Sequence, residues 1–151
     1  MSKTLWDDIA ERMSDHDYMA GITRTVSRIK ATGEIFTPTD LVIEILRRTP
    51  DECVGPTKNV LDPACGDGQF LIGIKWLKIL KFGMSEESAL SEIYGVDIMR
   101  DNIDICKKRL GGGTLIMGDT LNPGVKLTKQ TAAEHKKMIE LFIDQNQLEL
   151  F

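Results

Sequence analysis

No stretch of this sequence approaches the ~20 consecutive apolar residues that a membrane span requires. Its start, MSKTLWDDIAERM, lacks the basic-then-apolar pattern of a secretion signal. Cysteine is scarce. Cys53, Cys65 and Cys106 are odd in number and include no C-x-x-C pair, which argues against a disulfide framework or a structural zinc. A reduced, cytoplasmic setting is the expectation. Histidine is scarcer, and His16 and His135 both lie outside the motifs described below, so they read as surface residues rather than catalysts. A basic surplus is also missing: 19 Lys and Arg against 23 Asp and Glu leave a net charge of -4. The chain as a whole therefore lacks the electrostatic footprint of a protein that holds DNA unaided. Its one local basic cluster, Arg24, Arg28 and Lys30, reads either as a solvated helix face or as a phosphate contact.

What is present is an ordinary globular composition over 151 residues, enough for one compact domain with a real core. Neither an internal repeat nor a low-complexity tract interrupts it. Residues 4–13 follow a helical period, with Leu5, Ile9 and Met13 on one face, and residues 17–31 read as a second helical segment. Gly33 and Pro38 then break the chain, so Glu34 to Pro38 is expected to be extended. Thr39 is placed to cap a helix from Asp40 to Arg48, and DECVGPTK reads as a loop.

The short apolar run NVLD predicts a strand that ends in a glycine turn. A helix from Gln69 to Lys81 follows, with Phe70, Ile74, Leu77 and Leu80 expected on its buried side. Ser85 caps a shorter helix, IYGVDI is the next strand, Asp101 to Arg109 another helix, and TLIMGD a third strand. Past Thr120 a turn-rich loop leads into a final helix from about Ala132 to Ile143. Strands alternating with helices imply right-handed crossovers and a parallel sheet, the doubly wound α/β plan.

In DPACGDGQF, Gly66 and Gly68 allow close approach of backbone to ligand, Pro63 stiffens the strand exit, and the helix beginning at Gln69 aims free N–H groups over the turn. Asp97 closes the second strand, where an acid suits two ribose hydroxyls, and Asp119 closes the third. Each acid alone could equally be a helix cap or turn residue. Three strand-end acids, Asp62, Asp97 and Asp119, around one glycine turn point to a nucleoside-like cofactor. They suit a cationic amino group, a ribose and an exocyclic amine better than a pyrophosphate, which favours S-adenosylmethionine over NAD.

In this order, TGEIFTPTDLV, LDPACGDGQF, YGVDI and MGDT resemble the cofactor half of the N6-adenine-specific DNA methyltransferases, over roughly Gly33 to Thr120. The resemblance implies a Rossmann-like S-adenosylmethionine-dependent methyltransferase fold, here shortened to a small parallel sheet with flanking helices. It implies that Phe36, Thr37 and Pro38 bind the methionine end of the cofactor. Asp62, Pro63, Ala64, Gly66, Gly68 and Phe70 would form the turn that holds its amino and carboxylate groups. Asp97 would grip the ribose, Ile98 would pack on the adenine, and Asp119 would accept from its N6 amine. Residues 1–32 then form an N-terminal helical segment, 33–121 the cofactor domain, and 122–151 a loop, helix and tail.

The family places an N-P-P-Y-like string after its fourth strand to grip a target adenine, which must leave the duplex to be methylated. The sequence contains only Asn122–Pro123, too early and without an aromatic, and it reads as a turn. No catalytic residue is therefore assigned, and no fourth strand or target-recognition domain is expected. The first strand would then be left as an apolar edge, to be covered by a second copy, by another chain or by the C-terminal segment. The ending QLELF, with Gln147, Leu148, Leu150 and Phe151, resembles the peptide by which bacterial replication and repair proteins dock on the sliding clamp. Those apolar residues could equally finish the packing of the last helix. Three functions stay open: a methyltransferase acting on DNA adenine with a second copy or partner, a non-catalytic cofactor-binding accessory protein held at a clamp, and an enzyme that consumes the cofactor. No nucleophile or base is visible for the third, and an acidic chain is expected to reach DNA indirectly.

Overall fold

Three parallel strands in the order β1-β2-β3 form the sheet: β1 Val60–Asp62, β2 Ile93–Asp97 and β3 Thr114–Met117. They are described in a computed structural model that covers residues 2–14 and 37–144. The register pairs Leu61 with Tyr94, Asp62 with Gly95, and Asp97 with Met117. Parallel strands need crossover connections, and helices supply them here. In chain order the helices are α1 Leu5–Met13, α2 Thr39–Arg48, the single turn α3 Asp51–Val54, α4 Gln69–Leu80, α5 Glu86–Ser91, α6 Arg100–Leu110 and α7 Ala132–Ile139. A π-helical turn, Glu140–Asp144, continues α7.

Local chemistry explains most of the boundaries. Thr4 and Asp7 close a capping box on α1, Thr131 and Glu134 close another on α7, and the Ser85 hydroxyl accepts from the Ser88 N–H at the start of α5. Gly111, at φ +79°, ends α6 after Lys107, Lys108 and Arg109, cations that suit the negative end of the helix dipole.

The main core lies between the sheet and α1, α2, α4 and α6. Helix α4 runs through its middle, with Leu71, Ile72, Ile74 and Leu77 all buried. Gly73 permits close packing there: a Cβ would stand 2.8 Å from Leu46 Cδ1 and 3.2 Å from Val42 Cγ1, so those side chains would have to shift. The opposite face of the sheet carries a smaller cluster, in which Val96 and Ile116 pack on Met138, Leu141 and Phe142.

Several expectations need correction. Helix α2 begins at Thr39 with Pro38 as its N-cap, and the Thr39 hydroxyl accepts a hydrogen bond from Gln69 Nε2 instead of capping the helix. Asp51–Val54 is helical where the sequence predicts a loop, because Pro50, its N-cap, fixes φ at the entry and the Gly55 N–H closes the turn on the Asp51 carbonyl at 2.7 Å. The buried side of α4 includes Leu71, Ile72 and even Lys75 and Lys78, while Phe70 and Leu80 are half-buried, since the helix is covered by the sheet on one side and by α1 and α2 on the other. The helical segment 17–31, with Arg24, Arg28 and Lys30, and the tail residues Gln147, Leu148, Leu150 and Phe151 lie outside the described residues, as does Phe36.

The two edges of the sheet are treated differently. At the β3 edge, side chains stand in for a further strand: Glu134 Oε2 accepts from the Met117 N–H at 2.7 Å, and Gln130 Nε2 donates to the Met117 carbonyl at 2.8 Å. At the β1 edge, Val60 spends its N–H on the Glu92 carbonyl, so alternation turns the N–H and C=O of Leu61 outward. Leu61 is 41% exposed and borders a groove of about 240 Å³ with Tyr94 and Leu141.

Burial pushes the Glu134 carboxyl up, but Arg100 and the N–H groups of Met117 and Thr131 outweigh it and hold the pKa at about 2 against an ordinary 4.5. A depressed carboxylate contributes stability above its unfolded value and loses it as the pH falls through its folded one. Unfolding free energy is therefore expected to drop by about 2–3 kcal/mol between pH 4.5 and pH 2 through this group. Glu134→Gln should flatten that part of a denaturant-measured pH profile; an unchanged profile would exclude the assignment.

Candidate functional site

The strand-to-helix connection after β1 is a glycine turn fastened at both ends. The Cys65 N–H donates to the Val96 carbonyl at 2.8 Å, tying the turn to β2, and the Gly68 N–H closes on the Cys65 carbonyl at 2.9 Å. Gly66 and Gly68 take φ of +55° and +98°, a region costly for residues with a Cβ. Gly68 also has no room, because a Cβ would lie 2.8 Å from Cys106 Sγ. It is the N-cap of α4 and offers no side chain to the first-turn N–H groups, so the positive end of the helix is left for a ligand.

The three strand-end acids take different positions. Asp97 Oδ2 accepts from the Gly66 N–H at 3.0 Å, while Oδ1 accepts from the Met99 N–H at 2.8 Å and from Asn102 Nδ2 at 3.2 Å. One carboxylate thus locks the glycine turn to the start of α6. Asp62 Oδ1 accepts from the Ala64 N–H at 3.1 Å. Burial raises the Asp62 pKa first, and the nearby charge of Asp97 adds to it, against the lowering effect of that hydrogen bond. A cationic group beside Asp62 would relieve this cost. Asp119 lies two residues past the end of β3, where its carboxylate accepts from the Leu121 N–H at 3.0 Å and from Asn122 Nδ2 at 3.3 Å. Asn122–Pro123 is part of that turn, as its spacing predicts. The Gly118 N–H donates to the Asp97 carbonyl at 3.0 Å and Thr120 Oγ1 donates to the Pro63 carbonyl at 2.7 Å, which bring the ends of all three strands together. Among the described residues no group of three acidic, Cys or His side chains could hold a metal ion.

Pro63 and Ala64 are exposed at the turn, and Phe70 is half-buried against the core. Ile98 is 46% exposed and borders a cleft of about 540 Å³ beside the end of β2, in which Met99, Met117 and Leu127 are apolar and Arg100, Asp101, Asp104 and Lys129 are charged. Thr37 and Pro38 are joined to the turn through Gln69, which none of the motifs above assigns a role. Gln69 Nε2 donates to the Thr37 carbonyl at 3.0 Å and to Thr39 Oγ1 at 3.1 Å. Its Oε1 accepts from Arg109 Nη2 at 2.9 Å, and Arg109 Nη1 donates to the Asp67 carbonyl at 3.1 Å. Gln69 sits inside the DPACGDGQF string and could have been singled out as a polar side chain opening an otherwise apolar helix. Arg109 had no local signal, since a cation in the last turn of a helix is ordinary.

The two cysteines near the turn are buried, and the Cys65 thiol is pushed well up, first by its hydrogen bond with Cys106, then by burial and by the charges of Asp97 and Asp62. A thiol held protonated in this way is no nucleophile. His135 sits away from the turn, with Nε2 2.9 Å from the Gly124 carbonyl.

A parallel sheet with a glycine turn after its first strand, an open helix N-terminus and an acid closing the second strand has the architecture of the doubly wound α/β class. Comparison with known families narrows this. The model for N-6 DNA Methylase matches residues 22–111, and the chain belongs to that family. Its three parallel strands and flanking helices are a short form of the Rossmann-like methyltransferase fold. Members of the family use S-adenosylmethionine and act on DNA. No solved structure matches the chain. Among the described residues no helix is long and apolar enough to cross a membrane.

Proposed function

We propose that this chain binds S-adenosylmethionine as the cofactor half of an adenine-specific DNA methyltransferase, and that a second copy or a partner chain supplies the grip on the target base. The observation that carries the cofactor reading is the Asp97 carboxylate, held at the end of β2 within 3.0 Å of the Gly66 N–H. A ligand resting on the glycine turn would meet that carboxylate directly. Thr37, Pro38, Asp62 and the exposed Pro63–Ala64 step, at the N-terminus of α4, would hold the amino-acid end of the cofactor. Phe36 belongs to the same stretch. Ile98 would pack on the adenine and Asp119 would accept from its amine. Bound there, S-adenosylmethionine supplies the methyl group, and the residues of this chain hold and orient it.

A carboxylate offers about four acceptor positions, and Asp97 already uses three. A ribose diol would take the remaining position and displace the Asn102 amide for the second. That exchange keeps both main-chain bonds to Asp97, so the turn stays in place while the ligand enters.

The partner reading rests on the contrast between the two sheet edges. Doubly wound sheets carry their first strand in the middle, and here Glu134 and Gln130 occupy the outward main-chain groups of Met117 at the far edge while those of Leu61 face outward without such side chains among the described residues. A strand added beside β1 would complete the sheet and cover the Leu61–Tyr94–Leu141 groove. The non-catalytic alternative rests on the ending Gln147, Leu148, Leu150 and Phe151, which would dock the protein on a sliding clamp and so keep an acidic chain near DNA.

Calorimetric titration with S-adenosylmethionine and S-adenosylhomocysteine, with the mass in solution measured alongside, tests the proposal. Micromolar binding is expected for both ligands, together with a mass above that of one chain or a rise when the base-gripping partner is added. Absence of binding would overturn the cofactor reading. A monomer that methylates DNA adenine alone would overturn the partner reading.

A further inference from the structure

Behind the glycine turn lies a row of buried polar groups that the assigned roles do not use. Arg109, on the last turn of α6, bonds the Asp67 carbonyl and the Gln69 side chain, and its Nη2 also lies 3.4 Å from the Met13 carbonyl at the end of α1. Its Nη1 stands 3.5 Å from Asp67 Oδ2, with the two side chains only 4% and 1% exposed. Gln69, itself 3% exposed, passes the link onward to the Thr37 carbonyl and the Thr39 hydroxyl. One guanidinium and one amide therefore join four separated segments: α1, the 37–39 stretch, the glycine turn and α6.

The direction of the bonds matters. Gln69 can serve both neighbours only because an amide has two kinds of polar group, an oxygen for Arg109 and an NH₂ for the Thr37 carbonyl. Buried and satisfied at both ends, it has one workable orientation. Thr37 and Pro38 stand at an irregular entry to α2, where no side chain caps the helix. Their placement relative to Gly66 and Gly68 depends on a support from outside that segment, and Gln69 is the neighbour that bonds it directly.

We infer that Gln69 and Arg109 are positioning residues that set the Thr37–Thr39 segment in register with the glycine turn, and so govern the grip on the amino-acid end of the cofactor. The inference rests on the cofactor reading above. It makes a distinction that simple loss of structure would not. Ligands that carry the amino-acid end should suffer when the register slips, whereas ligands that present only the nucleoside should not, because the ends of β2 and β3 are held by other bonds.

The test is binding of S-adenosylhomocysteine and of 5′-methylthioadenosine, which lacks the amino-acid end, to the full chain and to two variants. Gln69→Glu keeps an acceptor for Arg109 but sets a carboxylate oxygen against the Thr37 carbonyl. Gln69→Met keeps the volume and removes both links. Each should weaken S-adenosylhomocysteine by roughly tenfold or more, the loss expected when one or two supporting hydrogen bonds go. Methylthioadenosine should bind each variant within about twofold of the parent, the scatter ordinary for an uncoupled site. Thermal unfolding of each variant identifies a misfolded one, in which case the other decides. An unchanged ratio of the two affinities in a folded variant, or equal loss of both ligands, overturns the inference and leaves the cofactor reading standing. Failure of the parent chain to bind S-adenosylhomocysteine overturns both.

Discussion

Lys78→Ala is expected to destabilise the chain by about 3–5 kcal/mol, the usual cost of removing one partner from a buried ion pair. The Lys78 side chain is 0% exposed and its ammonium makes three bonds: to Glu92 Oε2 at 2.6 Å, to the Lys58 carbonyl at 2.9 Å and to the Gly55 carbonyl at 3.1 Å. Those are all the donors an ammonium has. Without them Glu92, whose side chain is 12% exposed, keeps only the Thr57 N–H at 2.6 Å, and two carbonyls of the loop before β1 lose their buried partner. That loop also contains Thr57 at φ +68°, a left-handed conformation that a β-branched residue holds only when its surroundings impose it. Lys78 is thus the nail that fixes the entry to β1, and through β1 the start of the glycine turn. Urea unfolding measures the loss, and a change below about 1 kcal/mol would put the pair in the class of solvated surface bridges. Lys78→Met with Glu92→Leu should cost less than the sum of the single changes, because the uncompensated charge is gone while the Gly55 and Lys58 carbonyls still lack the ammonium, the former keeping only the Lys58 N–H at 3.2 Å.

Lys78 also shows where reading the sequence stops. The run QFLIGIKWLKIL is apolar almost all round, so a period of 3.6 residues is present but its phase is not. Phe70, Ile74, Leu77 and Leu80 were one defensible stripe. The actual buried side includes both lysines, which by composition alone belong in solvent. Their partners, Glu92 for Lys78 and Glu86 with the Leu110 carbonyl for Lys75, are remote in sequence and appear only once the chain is folded. By contrast, the β1–turn–α4 unit, the acid ending β2 and the short β3 were legible because each is a local pattern: an apolar run, a glycine pair, a polar stop. The closing of the β3 edge by Gln130 and Glu134 was not legible. Nothing in TKQTAAEH distinguishes a capping-box glutamate from one that also bonds a strand edge. Gln69 and Arg109 escaped for the same reason, since the partners of each are carbonyls and side chains from other segments.

Asp97→Ala is expected to damage fold and ligand binding together, and the two effects can be separated. Alanine removes the acceptor for the Gly66 N–H, the Met99 N–H and the Asn102 amide. Bonds to an ionised acceptor are worth more than neutral ones, and solvent can reach this half-buried site to replace part of the loss, so about 2–4 kcal/mol of stability should go. The turn glycines, freed from β2 on one side, should then hold the ligand poorly, and the ribose loses its acceptor. S-adenosylhomocysteine affinity should fall by about 10- to 100-fold, or roughly 1–3 kcal/mol. Asp97→Asn separates the contributions. Its remaining oxygen can serve Met99 and Asn102, while its NH₂ would face the Gly66 N–H, a donor against a donor. The asparagine variant should therefore recover most of the stability at the start of α6 and little of the affinity. If instead it binds the ligand like the parent chain, Asp97 is a helix-start residue that happens to close β2, and the ribose must be sought elsewhere along the sheet edge. If both variants lose affinity while the asparagine form stays folded, the carboxylate at the end of β2 is joined to the ligand as well as to the turn, and the short sheet retains a working cofactor site.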